Sequence, residues 1–312
     1  MIGVQSQRFI RFHLFYLDKN VTIIYIYIVL DIIMENNIIF SVLQWNTLCS
    51  NFATPESFPY VQQNCLQWDK RKTLIKDYLL KEKSDFICLE EIDNFDDYKK
   101  DIIQPLQKYE TIFAKKINGV MGICIGYDYT KFKAIDNTVL QLNKNENQKS
   151  SQIALIANFE AIQNNRKICL IVTHLKAKKE FEDTRVFQIK NIIDYIETNK
   201  LIENKENVIL VGDFNTEPTE KSISTLLNSK IRFKSSFEFE NKDKENFITF
   251  TTMKRRDTIY KRIIDYIWYA GSNIQHLSSV IANPKYNDEV GFPNEFFPSD
   301  HLFIKSQFEL NH

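Results

Sequence analysis

From Ile38 onward, short runs of apolar and β-branched residues alternate with longer stretches in which apolar residues recur at helical spacing. The short runs predict strands, and the longer stretches predict amphipathic helices. The predicted strands are Ile38–Gln44, Phe86–Leu89, Gly122–Tyr127, Ile153–Phe159, Ile168–Thr173, Val208–Gly212, Ile263–Trp268 and His301–Phe308. The predicted helices are Asp69–Lys81, Tyr98–Leu106, Phe181–Glu197 and Glu220–Leu227. This mixture of many strands with single helices favours an α/β fold in which two packed β-sheets are flanked by helices.

Polar stretches separate some of these elements. Residues Asn143–Ser150 and Asn241–Asn246 contain few apolar side chains and predict loops inside one domain. No repeat of fixed period is visible, so repeat architectures are not expected. We therefore predict one catalytic domain over residues 34–312, preceded by an extension over residues 1–33.

The extension has no single interpretation. Its apolar run over residues 21–34 is broken only by Asp31. The run is shorter than the roughly 20 residues of a membrane-spanning helix, so stable membrane insertion is not expected. It also lacks the small residues of a signal-peptide cleavage site. The remaining alternatives are a disordered or non-native segment with Met34 as the start, membrane attachment, or organelle targeting. We expect a cytoplasmic protein, or a mitochondrial one if the extension is a targeting segment.

The composition is that of a globular chain. Of the 312 residues, 44% are hydrophobic, and Gly and Pro number seven each, which excludes collagen-like and low-complexity classes. Forty Lys and Arg residues balance forty Asp and Glu residues, so the formal net charge is zero. A neutral chain lacks the one-sign field typical of proteins that hold long nucleic acids, and no DNA partner is expected. The oligomeric state is left open by these numbers.

The cysteines indicate a reducing compartment. They are odd in number and never fall at the two-residue spacing of a zinc or redox pair. They are Cys49, Cys65, Cys88, Cys124 and Cys169. The last three lie within apolar runs, where a free thiol behaves as a small buried hydrophobic group.

Carboxylate, amide and imidazole side chains stand at the ends of the predicted strands. They are Asn46, Glu90 and Glu91, His174, Asp213 and Asn215, and Asp265, with Asp300 and His301 before a strand. One such residue is commonly a turn or a helix cap, but so many at strand ends indicate a shared site. Oxygen-rich ligands without thiolates favour Mg²⁺ or Mn²⁺ over zinc. A metal ion, a carboxylate base and imidazoles suit phosphoester hydrolysis. No Gly-rich phosphate loop of a kinase or motor protein is present.

These residues lie in an ordered set of motifs that resembles the endonuclease/exonuclease/phosphatase superfamily and, within it, the deadenylase-like branch. The motifs are Gln44-Trp45-Asn46, Trp68-Asp69-Lys70-Arg71-Lys72, Leu89-Glu90-Glu91-Ile92-Asp93, Thr173-His174-Leu175-Lys176-Ala177-Lys178, Gly212-Asp213-Phe214-Asn215, Asp265-Tyr266-Ile267-Trp268-Tyr269 and Pro298-Ser299-Asp300-His301. The resemblance covers about residues 40–308. It implies a DNase I-like four-layer α/β sandwich and an Mg²⁺-dependent hydrolase, with Mn²⁺ as the alternative ion.

The resemblance also implies a role for each position around the reacting phosphate. Glu91 corresponds to the metal-binding glutamate, and Asn46 lies close to the metal or the attacked phosphate. Asp213 corresponds to the aspartate that activates water. Asn215 corresponds to its neighbour that orients the phosphate.

Three further positions correspond to groups that handle negative charge. His301 matches the histidine that stabilises the developing charge, and Asp265 matches the residue that holds it. His174 matches a second phosphate-binding histidine. Asp300 is expected to support the metal or His301.

Two departures from the branch stand out. Glu90 occupies the position where the branch usually has Gln, which adds a negative charge beside the metal site. The segment Val120-Met121-Gly122-Ile123-Cys124 replaces the usual Asp-Gly-Cys sequence, so substrate contacts in that loop cannot be carried over from the branch.

The choice of substrate lies between two phosphoesters. Within the branch the resemblance favours the nocturnin group, which implies removal of the 2′-phosphate of NADP⁺ and NADPH; the alternative is a poly(A)-directed 3′ exoribonuclease. Lys176, Lys178 and Lys115 match substrate-binding cations of that group. A solvated turn is the alternative interpretation of Lys176, Lys178 and Lys179. A second basic cluster over residues 254–262 could bind phosphates or an RNA backbone. A small dianion needs few cations, which favours the dinucleotide.

A non-catalytic binding module on the same fold is the competing class. Such a module is expected to have lost part of the site, and Glu91, Asp213, Asn215, Asp265 and His301 are all present.

Overall fold

Two mixed β-sheets form the centre of the computed structural model, which describes residues 37–202, 207–239, 247–287 and 289–311. The first sheet has the strand order β13-β14-β1-β2-β4-β3, and the second has the order β5-β6-β7-β8-β12-β9. A separate two-stranded hairpin is formed by β10 and β11. The strands are β1 Ile38–Asn46, β2 Phe86–Ile92, β3 Tyr109–Lys115, β4 Gly122–Asp128, β5 Phe132–Asn145, β6 Gln148–Ala161, β7 Lys167–His174, β8 Asn207–Asp213, β9 Lys234–Ser235, β10 Thr252–Arg255, β11 Ile259–Arg262, β12 Asp265–Ala270, β13 Ile274–Ile281 and β14 Ile304–Leu310.

Helices cover the outer faces of both sheets. The α-helices are α1 Gln63–Leu66, α2 Trp68–Glu82, α3 Phe95–Asp97, α4 Glu182–Thr198 and α5 Lys221–Leu227. A π-helical segment Tyr98–Ile103 and the 3₁₀ turns Gln104–Leu106 and Lys179–Phe181 complete the set. Among the described residues, no helix combines the length and apolar composition needed to cross a bilayer.

Three hydrophobic cores separate four layers. One core lies between the sheets and includes Phe40 and Phe86. A second packs one sheet against α4 and α5, and a third packs the other sheet against α2 through residues such as Ile75 and Leu79. The predicted α/β sandwich is therefore confirmed.

This layering explains the continuous apolar runs of the central strands. In β8, Ile209 and Val211 face the core between the sheets, whereas Val208 and Leu210 face the helices. A strand that is buried on both faces needs apolar side chains at every position.

Edge strands were harder to predict. The expected loop Asn143–Ser150 is wrong, because Asn143 pairs with Lys149 and Asn145 pairs with Gln148 in a long β5–β6 hairpin. Its polar side chains are mostly exposed and leave no apolar alternation to detect. Strands β3, β5 and β13, which lie at the edges of the two sheets, were also not predicted. The predicted strand at His301 begins at Ile304 instead. The extension 1–33 and the predicted loop Asn241–Asn246 lie outside the described residues.

Candidate active site

The strand-end residues meet because each sheet has a parallel pair at its centre. In the first sheet β1 runs parallel to β2, which places Asn46 beside Glu90. In the second sheet β7 runs parallel to β8, which places His174 beside Asp213. Strand β12 is antiparallel to β8, so its first residue, Asp265, also pairs with Asp213. The sequence prediction of one shared site is thus matched by the register of the strands.

A β-bulge lets two consecutive glutamates point toward the site. The pairing of β2 with β4 shifts between Glu90 and Ile92, and Glu91 has a φ of 62°. Positive φ is costly for a residue with a side chain and persists where surrounding contacts hold it. Here the amide of Cys49 donates to Glu91 Oε2 at 2.8 Å.

A glycine brings β7 and β8 unusually close at the site. Gly212 has a φ of 145°, and a Cβ built on it would lie 1.8 Å from the carbonyl oxygen of Thr173. Only glycine fits this approach, which sets the spacing between His174 and Asp213.

Arg71 joins the segment after β1 to the segment before His301. It is fully buried in α2, and its guanidinium donates to the carbonyls of Thr47, Leu48 and Pro298 at 2.9–3.2 Å. These carbonyls follow Asn46 and precede Asp300. The sequence motif Trp68–Lys72 includes Arg71, but it did not indicate which groups the guanidinium contacts.

The first group of side chains consists of Asn46, Glu91, His174 and Asp213. Asn46 Nδ2 donates to Glu91 Oε1 at 3.1 Å and to Asp213 Oδ2 at 3.0 Å. His174 Nε2 lies 3.6 Å from Asp213 Oδ2 and 3.9 Å from Glu91 Oε1. The ligand atoms of the two acids and the imidazole lie within 4.8 Å of one another. Two carboxylates and an imidazole, with no thiolate, form a donor set that fits a hard divalent cation.

The second group joins Asp213 to the pair His301 and Asp265. His301 Nδ1 is 3.0 Å from Asp265 Oδ2, and its Nε2 is 3.8 Å from Asp213 Oδ2. Ser299 holds this turn, because its hydroxyl donates to the carbonyl of Asn46 at 2.6 Å and accepts from the amide of His301. Asp213 and His301 line an open groove. Asp265 is fully buried behind His301 and does not line this groove.

Burial and neighbouring charges set the protonation of these groups. Burial opposes the charge of His301, but Asp265 and Asp213 outweigh it and raise the pKa of the imidazole well above its ordinary value. Burial, followed by the charges of Lys116 and His301, lowers the pKa of His174 well below the ordinary value. Burial raises the pKa of Asp213 to about 7, although His301 opposes the shift. The site therefore holds a protonated imidazole beside a carboxyl group that can exchange a proton near neutral pH.

Asn215 and Asp300 line the same groove, which has a volume of about 1010 Å³. Asn215 has a φ of 53°, its amide donates to Asp213 Oδ1 at 2.8 Å, and its Nδ2 donates to the carbonyl of Leu175. Asp300 is buried, and its Oδ1 has no hydrogen-bond partner. Both residues therefore lie in the groove that Asp213 and His301 line.

The predicted substrate lysines separate into three positions. Lys178 is exposed and lines the groove, whereas Lys176 lines a neighbouring cavity. Lys115 points to solvent from β3 and lines neither cavity. The next residue, Lys116, is buried and also lines neither cavity, and burial lowers its pKa while Glu91 and Asp213 oppose the shift. Sequence reasoning missed Lys116, although strand alternation after buried Ala114 pointed to it.

The basic residues of the β10–β11 hairpin also line the groove. They are Lys254, Arg256, Lys261 and Arg262. The hairpin is held to the site by bridges from Thr252 to His301 and from Lys254 to Gly291.

Comparison with known proteins supplies the family. The model of the Endonuclease/Exonuclease/phosphatase family matches residues 43–301, a span that contains every strand-end residue described above. The chain belongs to this family. It is therefore a hydrolase that acts on phosphoester bonds, as the motifs predicted, and its acidic and imidazole groups could hold a metal ion.

Individual relatives fall in the deadenylase branch. Nocturnin of Xenopus laevis is 28% identical over 288 residues, which cover 87% of this chain and 73% of that protein. The CCR4-Not complex 3'-5'-exoribonuclease subunit Ccr4 of Kluyveromyces lactis is 25% identical and also covers 87% of this chain, but the chain spans only 41% of the subunit's length.

Solved structures agree with the fold. The human nocturnin catalytic domain with bound sulfate has a TM-score of 0.70 and 26% identity, covering 86% of this chain and 94% of that chain. ANGEL2, a 2',3'-cyclic phosphatase, has a TM-score of 0.73 at 18% identity, covering 88% and 96%. The second likeness concerns the fold alone.

Proposed function

We propose that the chain is an Mg²⁺-dependent phosphomonoesterase that removes the 2′-phosphate of NADP(H). The observation that carries this proposal is Lys116, a buried lysine whose charge acts on Glu91 and Asp213. A terminal phosphate carries up to two negative charges, whereas each internal phosphate of RNA carries one. A cation beside the metal site therefore supports recognition of a phosphomonoester. The similarity to nocturnin supports the same choice.

The residues of the site have separate tasks in this reaction. A bound Mg²⁺, which Glu91 would hold beside Asn46, would neutralise charge on the phosphate and promote attack by water. Asp213 accepts the proton of the attacking water, which suits its pKa of about 7. The new P–O bond forms as the bond to the 2′-oxygen breaks, and that oxygen takes up a proton. Protonated His301, held by Asp265, faces the charge that develops on the phosphate oxygens.

A poly(A)-directed 3′ exoribonuclease is the second candidate. It is favoured by four basic side chains of the β10–β11 hairpin, which line the groove together with acidic residues such as Glu217. An RNA chain would place successive phosphates along such a surface. The similarity to the Ccr4 exoribonuclease subunit supports this candidate.

A panel of substrates distinguishes the candidates. Purified protein with Mg²⁺ is expected to release phosphate from NADPH and to leave oligo(A) intact, and Mn²⁺ is the alternative ion. Glu91→Gln is expected to lose at least about a hundredfold in activity, because the metal would lose a ligand charge. Shortening of oligo(A) without phosphate release from NADPH would establish the second candidate. Failure on both substrates, and on coenzyme A and phosphoinositides, would favour a binding module.

The two neighbouring lysines provide a matched pair for the charge argument. Lys116→Ala is expected to raise the KM for NADPH about tenfold, because a buried cation near the phosphate is lost. Lys115→Ala removes the same charge from the exposed side of β3 and is expected to change KM by less than about twofold. Equal effects of the two variants would contradict the proposed role of Lys116.

The five cysteines are buried and none forms a disulfide, which supports a reducing compartment such as the cytoplasm. We propose that location for the catalytic domain.

A further inference from the structure

A second cavity adjoins the catalytic groove on the side of the β5–β6 hairpin. It has a volume of about 310 Å³ and lies between the end of this hairpin, the segment after β7 and the start of α4. Lys144, Lys149 and Lys176 line it together with the hydroxyl-bearing residues Ser150 and Ser151. Among its described lining residues there is no carboxylate, whereas the catalytic groove is lined by several. Its chemistry is therefore that of an anion site.

Buried polar side chains hold the cavity in shape. Gln188 has no exposed surface, and its Oε1 accepts from the amide of Lys176 at 2.9 Å. Its Nε2 donates to Ser150 Oγ at 3.1 Å and to Gln152 Oε1 at 3.3 Å. One side chain on α4 thus joins the segment after β7 to the β5–β6 hairpin. The cavity is preorganised by this contact, which lowers the cost of ordering it around a ligand.

Arg185 fixes the same segment from its other end. It is fully buried in α4, and its Nη1 donates to the carbonyls of Lys176 and Lys178 at 2.9 and 2.7 Å. These two lysines are thereby placed at the second cavity and at the catalytic groove, respectively. One short segment therefore presents a cation to each of the two cavities.

The two cavities are close enough for a single nucleotide. Lys176 is two residues from His174, which limits the separation of their Cα atoms to about 7 Å. The amide of Ile117, next to Lys116, donates to the carbonyl of Ser151 in the second cavity at 3.3 Å. The charges of Lys116 and Lys176 also act on each other. The side of the second cavity that Lys176 and Ser151 form therefore lies next to the catalytic groups.

We propose that Lys144 and Lys149 of the β5–β6 hairpin form a specificity site for a second phosphate group of the substrate. This inference rests on the proposed function, in which the ribose that carries the 2′-phosphate also carries a pyrophosphate on its 5′-oxygen. The catalytic groove receives the phosphate that is hydrolysed. The hairpin lysines bind the phosphate that remains on the product.

Three ligands separate this role from catalysis. They share a 2′-phosphate and differ in the 5′-substituent: 2′-AMP has none, 2′,5′-ADP has one phosphate, and NADPH has the pyrophosphate. For the full chain with Lys144→Ala and Lys149→Ala, the KM for NADPH and 2′,5′-ADP is expected to rise about tenfold with kcat unchanged. The KM for 2′-AMP is expected to stay within about twofold. Lys133→Ala with Lys167→Ala is the control, because both lysines are exposed on the same sheet, outside this cavity.

Binding measurements keep the inference testable without turnover. Calorimetry in EDTA is expected to show that the wild-type chain binds 2′,5′-ADP about tenfold more tightly than 2′-AMP, and that the hairpin variant loses this preference. An unchanged preference in the variant, equal losses for 2′-AMP, or the same loss in the control variant would overturn the proposal. If the preference is present but none of the ligands is hydrolysed, the proposed function fails while the phosphate site stands. If the wild-type chain shows no preference, the phosphate site fails even where NADPH is hydrolysed.

Discussion

Glu90 is a carboxyl group buried without a cation in contact, and its removal should stabilise the protein in a pH-dependent way. The residue has no exposed surface, and its Oε2 accepts from Gln44 Nε2 at 2.9 Å. Its Oε1 has no partner, and the same Gln44 amide also donates to Asp265 Oδ1 at 3.1 Å. Burial raises the pKa of Glu90 well above its ordinary value, and the charge of Asp265 raises it further. Glu90→Gln removes the ionisable group and keeps the size of the side chain.

The sign and size of the effect follow from proton binding. An acid with a raised native pKa holds its proton in the folded state at a pH where the unfolded chain has released it. The wild-type protein therefore loses stability as the pH rises from the unfolded pKa, about 4.3, to the native pKa of Glu90. One proton corresponds to about 1.4 kcal/mol of unfolding free energy per pH unit over that interval. The stability advantage of Glu90→Gln should grow at up to this rate and then level off.

Urea unfolding of both proteins in EDTA at pH 5, 6, 7 and 8 measures this difference. Asp213 and His301 titrate in both proteins and interact with the Glu90 charge, so the difference between the two curves reports Glu90 together with the change it causes in these neighbours. The slope of unfolding free energy against urea concentration should be the same for both, because the change leaves the buried surface unaltered. Glu146→Gln, at the exposed turn of the β5–β6 hairpin, is the control and should give no pH-dependent difference. Parallel stability curves for wild type and Glu90→Gln would refute the reasoning.

Two further predictions concern the charge at His301 and the backbone at Gly212. His301 has a raised pKa, so activity that needs its protonated form is present below that pKa and is lost as the pH rises through it. Asp265→Asn should move this alkaline limb of the kcat profile to lower pH and reduce kcat about a hundredfold or more, and an unmoved limb would argue against the pairing. Gly212→Ala should lower the unfolding free energy by about 3 kcal/mol or more, because its Cβ would meet the Thr173 carbonyl at 1.8 Å with φ at 145°. Gly126→Ala, whose Cβ would meet ordinary contacts at 3.6 Å or more, should cost much less in the same urea assay, and equal losses would contradict this explanation.

The central strands and the polar residues at their ends were predictable because both depend on local sequence. A strand buried on both faces must be apolar throughout, so β8 was recognisable up to Gly212. Polar groups that interrupt such a run mark the strand end, and Asp213 stands there. The ordered motifs then indicated the family, which the match over residues 43–301 confirmed.

The positions of the lysines around the groove were harder to predict from the sequence, because they depend on the course of exposed loops. Lys115 was predicted to bind substrate and is exposed on β3, whereas the next residue, Lys116, is buried and interacts electrostatically with Glu91 and Asp213. A shift of one residue reverses the direction of a side chain on a strand. The end of the β5–β6 hairpin, Asn143–Ser150, was predicted as a loop, so nothing in the sequence indicated that Lys144 and Lys149 would line a cavity with Lys176.

The local pattern of side chains therefore determines the α/β class, the ends of the central strands and the types of catalytic group. These features depend on which side chains can be buried, and the polarity of each residue in the sequence shows this. Only the tertiary structure decides that Glu90 is buried beside Asp265 and that Gln188 joins two loops around a cavity. Such contacts join residues that are far apart in the chain. Their energies depend on distances and burial that are set when the two sheets pack together.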